Sequence, residues 1–149
     1  MSLQQQLADD MKTAMKARDA ERRDVLRSVI AAMKNQAVEL GRGPQGELSD
    51  DEVQALLTKE RKKREEGAQG FADGGREEAA AKERAEAAII AEYLPEQLSD
   101  EELDEIVGEI VDRVGADAGM GPIMGQAMGK VGNRADGKRV NAAVQRRLG

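Results

Sequence analysis

The stretch YLPEQLSDEELDEIVGEIVDRVG, Tyr93 to Gly115, decides the fold. Pro95 lacks a backbone N–H and disfavours helical geometry in the residue before it, so an arriving helix ends at Tyr93 and Leu94. Four residues later Ser99 and Glu102 make a Ser-x-x-Glu capping box, in which each side chain satisfies the other residue's free backbone N–H. A new helix therefore opens at once. Leu103, Ile106, Val107, Ile110, Val111 and Val114 recur at spacings of three and four, one apolar face of a helix that Gly115 closes. This break and restart divide the chain into units of residues 1–95 and 96–149.

Helix signals continue in both directions. Upstream, Leu3, Leu7, Met11 and Met15 repeat every four residues behind a Ser2 cap. Val25, Leu26, Val29, Ile30, Met33, Ala37 and Leu40 then mark a longer amphipathic helix ending at Gly41. A second box, Ser49 with Glu52, starts a helix through Val53, Leu56 and Leu57 that is expected to stop between Gly67 and Gly75, and another runs from about Glu77 to Leu94. Downstream, a glycine-rich helix is followed by a last one, Gly137 to Leu148, capped by Asp136. The expected fold is all-α: an N-terminal unit of about four helices and a C-terminal three-helix bundle. Composition agrees, because a 40% apolar chain with one Phe, one Tyr and no Trp must build its core from aliphatic residues and alanine, which suit close helices better than a sheet.

Composition also limits the chemistry. With no Cys and no His there is no disulfide framework, thiolate nucleophile, histidine base or ordinary zinc site. The segment Gly125-Gln-Ala-Met-Gly129-Lys130 is not a phosphate-binding loop: three residues separate its glycines instead of four, and Val131 stands where a hydroxyl would hold magnesium. The 29 acidic residues of so charged a helical chain read as solvated surface. No catalytic residue, metal site or cofactor is assigned. With no basic leader and no apolar run of membrane-spanning length, the expectation is a cytoplasmic protein that does not enter a membrane.

The net charge of −6 is unevenly spread. Residues 1–95 carry 16 basic and 19 acidic side chains, residues 96–114 one and eight, and residues 115–149 six and two. The run Lys59 to Glu66 neutralises itself through neighbours three and four apart. The C-terminal cations Lys130, Arg134, Lys138, Arg139, Arg146 and Arg147 have only Asp136 locally to offset them, and it is committed as a cap. Two readings stand: contact with an anion or structured RNA, or plain surface charge. No aromatic lies nearby to stack on bases, so an RNA contact would be to phosphate and shape.

Gly121, Gly125 and Gly129 recur every four residues, as do Met120, Met124 and Met128. Each interior glycine costs a helix roughly 1 kcal/mol relative to alanine, so the stripe calls for a reason. Either it permits close helix packing or it forms, with Met124 and Met128, a face on which a partner docks.

LTKERKKREEGAQGFADGGREEAAAKERAEAAIIAEYLPEQLSDEEL (Leu57 to Leu103) and GPIMGQAMGKVGNRADGKRVNAAVQRRL (Gly121 to Leu148) resemble the stand-alone YqeY branch of the GatB/YqeY family. The most specific parts are Tyr93-Leu94-Pro95 before Gln97-Leu98-Ser99, and Ala135-Asp136-Gly137-Lys138 before Val140-Asn141. The resemblance implies an all-helical protein with a three-helix C-terminal unit. It also implies kinship with the tail of GatB, a subunit of the glutamine-dependent aminoacyl-tRNA amidotransferase, where that tail engages tRNA. The chemistry of that complex resides in a separate large domain and another subunit, which this chain does not resemble. A carbon–nitrogen ligase activity with glutamine as amido-N-donor would thus be inherited from the complex. The expected role is a non-catalytic tRNA-binding adaptor. The alternatives are a protein-interaction module that docks through the glycine and methionine helix without RNA, or an accessory component working with amidotransferase subunits. The chain departs from the family pattern at Gly129 and Gly132.

Overall fold

The computed structural model describes residues Met1–Gly149 as seven α-helices and no strand. They are α1 (Leu3–Lys16), α2 (Ala20–Glu39), α3 (Asp50–Asp73), α4 (Glu77–Ala91), α5 (Asp100–Val114), α6 (Met120–Val131) and α7 (Gly137–Leu148); 3-10 turns at Ala116–Ala118 and Gly132–Arg134 flank α6. Local chemistry sets most of the starts. Ser2, Asp19 and Asp136 each accept a hydrogen bond from the N–H three residues on, and Ser49 with Glu52 and Ser99 with Glu102 form complete reciprocal boxes. Gly115 has a φ of +89°, and Gly132 combines φ +60° with ψ −131°, a backbone that a side chain would strain. That conformation explains glycine at 132.

One helix end meets expectation and one differs. Helix α3 passes through Gly67 and Gly70 and stops at Asp73, inside the expected range of Gly67 to Gly75. Its far half packs on α4: Ala68 and Ala80 are both buried, and Gly67 faces Glu83, so tertiary packing offsets the poor helix propensity of the glycines. Helix α4 ends at Ala91, short of the expected Leu94, and Tyr93 and Leu94 lie in a tightened turn, their N–H groups donating to Ile90 O and Ala91 O at 3.1 Å each.

The chain divides into two compact units, Met1–Leu94 with α1 to α4 and Pro95–Gly149 with α5 to α7. In the first, Leu7, Val25, Val29, Val53, Leu57 and Ile90 bring all four helices to one core. The loop between α2 and α3 is pinned at several points. Leu48 is buried and its N–H donates to Gln4 Oε1 at 2.9 Å; Arg42 Nη1 donates to Glu47 O at 3.1 Å and to Glu52 Oε1 at 2.7 Å.

In the second unit Leu103, Val107 and Ile110 of α5 meet Ile123 and Ala127 of α6 and Val140 and Val144 of α7. Each is at most 2% exposed, and full burial of one of the Leu, Ile or Val side chains is worth about 1.5–3 kcal/mol. The inward face of α6 is thus Ile123, Ala127 and Val131, at steps of four, with Met120, Met124 and Met128 partly buried beside it. The glycines fall outside this face.

Candidate functional site

The C-terminal cations are best followed from α7 outward. Val140, Ala143 and Val144 turn one side of α7 into the core, which leaves its arginines along the boundary with α5. On α5, Asp100, Asp104, Gly108 and Asp112 recur every four residues and form one stripe. The stripe and the arginines meet. Arg139 Nη2 donates to Asp100 Oδ1 at 2.9 Å and to the backbone oxygen of Leu98 at 2.7 Å. Arg146 binds Asp104 at 2.7 Å, and Arg147 binds Asp112 at 3.2 Å with its guanidinium against Gly108. The Arg139 guanidinium holds the Asp100 carboxyl below the ordinary carboxylate range.

Arg134 has a local task. Its Nε and Nη2 donate to Val131 O at 3.1 Å and Lys130 O at 2.8 Å, satisfying carbonyls at the end of α6, while its own carbonyl accepts the Leu98 N–H at 2.8 Å. Gln97 Nε2 donates to Asn133 O at 3.1 Å, so the segment before α5 is sewn to the turn between α6 and α7.

These contacts correct the picture of a cationic end offset only by Asp136. The basic segment is folded against the acidic helix, and residues 95–149 together hold seven basic and ten acidic side chains. Of the six candidates, Arg134, Arg139, Arg146 and Arg147 take part in the unit's own structure. Lys130 and Lys138 differ: both are exposed, and neither makes an ion pair or side-chain hydrogen bond. They flank the connection between α6 and α7, Lys138 at the second position of its helix. The three aspartates were legible as a four-residue repeat on α5, but only the packing of α7 on that face reveals them as partners.

The glycine stripe is corrected in part. A Cβ built on Gly121, Gly125 or Gly129 would meet nothing within 4 Å, so neither α5 nor α7 uses the stripe for close packing. It is an exposed face beside Met124 and Met128, which cover the core from the side. No group of three or more acidic side chains is gathered as a metal site, and no helix is long and apolar enough to cross a membrane.

No curated protein matches the chain. The family model for Yqey-like protein matches residues 4–148, which takes in both compact units and every candidate residue above. The chain therefore belongs to the YqeY-like family.

Proposed function

We propose that this protein is a non-catalytic adaptor that binds structured RNA, tRNA foremost, through its C-terminal unit, in the setting of tRNA-dependent amidation. Family membership supports the reading through kinship with the GatB tail. The geometric observation that carries it is the pair Lys130 and Lys138, exposed and unpartnered where the other C-terminal cations have structural work. A cation in the first turn of a helix opposes the macrodipole, at a cost of about 0.3–1 kcal/mol, so Lys138 does not serve stability. Next to it the N–H groups of Gly137 and Lys138 stay uncapped, since the Asp136 side chain accepts only that of Arg139, and they favour an anion. Arg146 and Arg147 can join such a contact, because exposed single ion pairs are worth only about 0–1 kcal/mol and a phosphate can replace either carboxylate.

The test is tRNA binding by Lys130→Gln/Lys138→Gln across a range of salt. Affinity should fall, and the slope of log affinity against log salt should drop by about 0.9 for each phosphate contact removed. Parent-like binding with an unchanged slope sinks the assignment. Arg139 is unsuitable for this test, since its loss would also free Leu98 O and Asp100.

A second reading, protein docking on the glycine and methionine face of α6, is favoured by the open space over Gly121, Gly125 and Gly129. Gly125→Leu should abolish capture of a protein partner while leaving the salt slope of tRNA binding alone. Participation in a carbon–nitrogen ligase would instead appear as glutamine-dependent product on misacylated tRNA that requires both this chain and the other subunits.

A further inference from the structure

The N-terminal unit contains a cleft that the RNA reading does not use. Helices α1 and α2 line it with matching triplets: Ala8, Met11 and Lys12 on one, Ile30, Met33 and Lys34 on the other, each at spacings of three and one. The two triplets place aliphatic and thioether groups together with an ammonium on either side. Gln4, whose Oε1 is held by the Leu48 N–H, and Pro44, Gln45 and Gly46 of the loop between α2 and α3 complete the lining, and the volume is about 270 Å³.

Three observations define what would fit. First, no acidic residue lines the cleft, although the chain has 29 of them, and Lys12 and Lys34 are exposed without an ion pair or hydrogen bond. Second, the floor is apolar and adaptable: Met33 is 3% exposed, Met11 and Ile30 are half-buried, and methionine moulds itself to aliphatic ligands. Third, the loop wall is preformed. Gly46 N–H donates to Gly43 O at 3.0 Å and a Cβ at Gly46 would collide with Arg42, itself tied to Glu47 and Glu52, so an occupant need not order this loop. The volume lies just below the roughly 300–1,000 Å³ of drug-sized ligand pockets, which suits a single slender chain.

We propose that this cleft binds a small aliphatic carboxylate, with a medium-length hydrocarbon chain over Ala8, Met11, Ile30 and Met33 and its carboxylate between Lys12 and Lys34. Charge complementarity selects the anion: two unpaired ammonium groups repel a cationic head and leave a neutral one without an ionic partner. The site belongs to the N-terminal unit and stands or falls independently of RNA binding.

The probe is decanoate, titrated into full-length protein labelled with 13C at its methionine methyls. The chain has seven methionines, well spread between the two units, so the methyl spectrum locates the ligand. Saturable shifts should concentrate on Met11 and Met33 and spare Met120, Met124 and Met128. Lys12→Gln/Lys34→Gln, both at exposed positions, should weaken binding by at least about tenfold, the size expected for losing a charge-assisted contact. Ala8→Phe should block the floor with both lysines intact; were it to unfold, the lysine pair would decide alone. Failure to saturate below the concentration at which decanoate self-associates would overturn the proposal. So would equal shifts at the α6 methionines, binding of 1-decanol or decyltrimethylammonium as tight as that of decanoate, or parent-like affinity in the lysine variant.

Discussion

Replacing Gly125 and Gly129 by alanine should stabilise the C-terminal unit. Both lie inside α6, where alanine is favoured over glycine by about 0.8–1.0 kcal/mol per residue because the unfolded glycine has more backbone freedom to lose. From that gain one would normally subtract a steric penalty. Here there is none, since a Cβ at either position meets no atom within 4 Å, and as both sites are exposed there is little burial to add. The pair should therefore be worth about 2 kcal/mol, the sum of two independent backbone effects. Hydrogen exchange reads this within the unit itself. If the core amides of Val107 and Val144 exchange through opening of the whole unit, their rates should fall by about 30-fold, the factor equivalent to about 2 kcal/mol. Gly132→Ala is the internal contrast: its φ of +60° and ψ of −131° should make the same change cost about 1–3 kcal/mol. Unchanged or faster exchange in the double variant would refute the reasoning, because the stripe would then have a structural role that open space over it contradicts. If the variant is firmer yet loses a protein partner, the glycines are kept for that partner's approach.

Three further predictions concern the N-terminal unit. The Glu52 carboxyl is held down to about 2 by Arg42, then by the N–H of Ser49; its contribution is present above the unfolded value and lost as pH falls from about 4.5 towards about 2, so Glu52→Gln should flatten the acid limb of stability in denaturant melts. Burial, then the 2.6 Å hydrogen bond to Asp10, raises the Tyr93 phenol well above its ordinary value of 10.0. As the single tyrosine, it should show no ultraviolet ionisation near pH 10 while the protein is folded; because only the unfolded phenol ionises there, stability should decline as pH rises past that point, and Tyr93→Phe should remove this part of the decline. Arg18, the one non-glycine residue at positive φ (+58°), closes α1 in a left-handed conformation, so Arg18→Gly should raise the denaturation midpoint by the equivalent of about 1 kcal/mol, and a lowered midpoint would contradict that account.

What the sequence determined by itself was local. The caps at Ser49, Ser99 and Asp136, the stop before Pro95 and the apolar face of α5 each depend on residues within a turn or two, where the chain's covalent geometry already brings the groups together. The family motifs, from Tyr93 to Ser99 and from Ala135 to Asn141, were legible for the same reason. Tertiary structure decided the rest. It carried α3 through Gly67 and Gly70 because α4 supplies a packing surface that propensity does not register. It turned Arg139, Arg146 and Arg147 from a free basic patch into partners of Asp100, Asp104 and Asp112, residues 35 to 42 positions away, which adjacent charges in the sequence could not disclose. It left Gly121, Gly125 and Gly129 facing open space, because periodicity says which residues share a side of a helix but not which side the core will take. The cleft holding Lys12 and Lys34 exists only where α1, α2 and a pinned loop converge, and no local pattern could contain it.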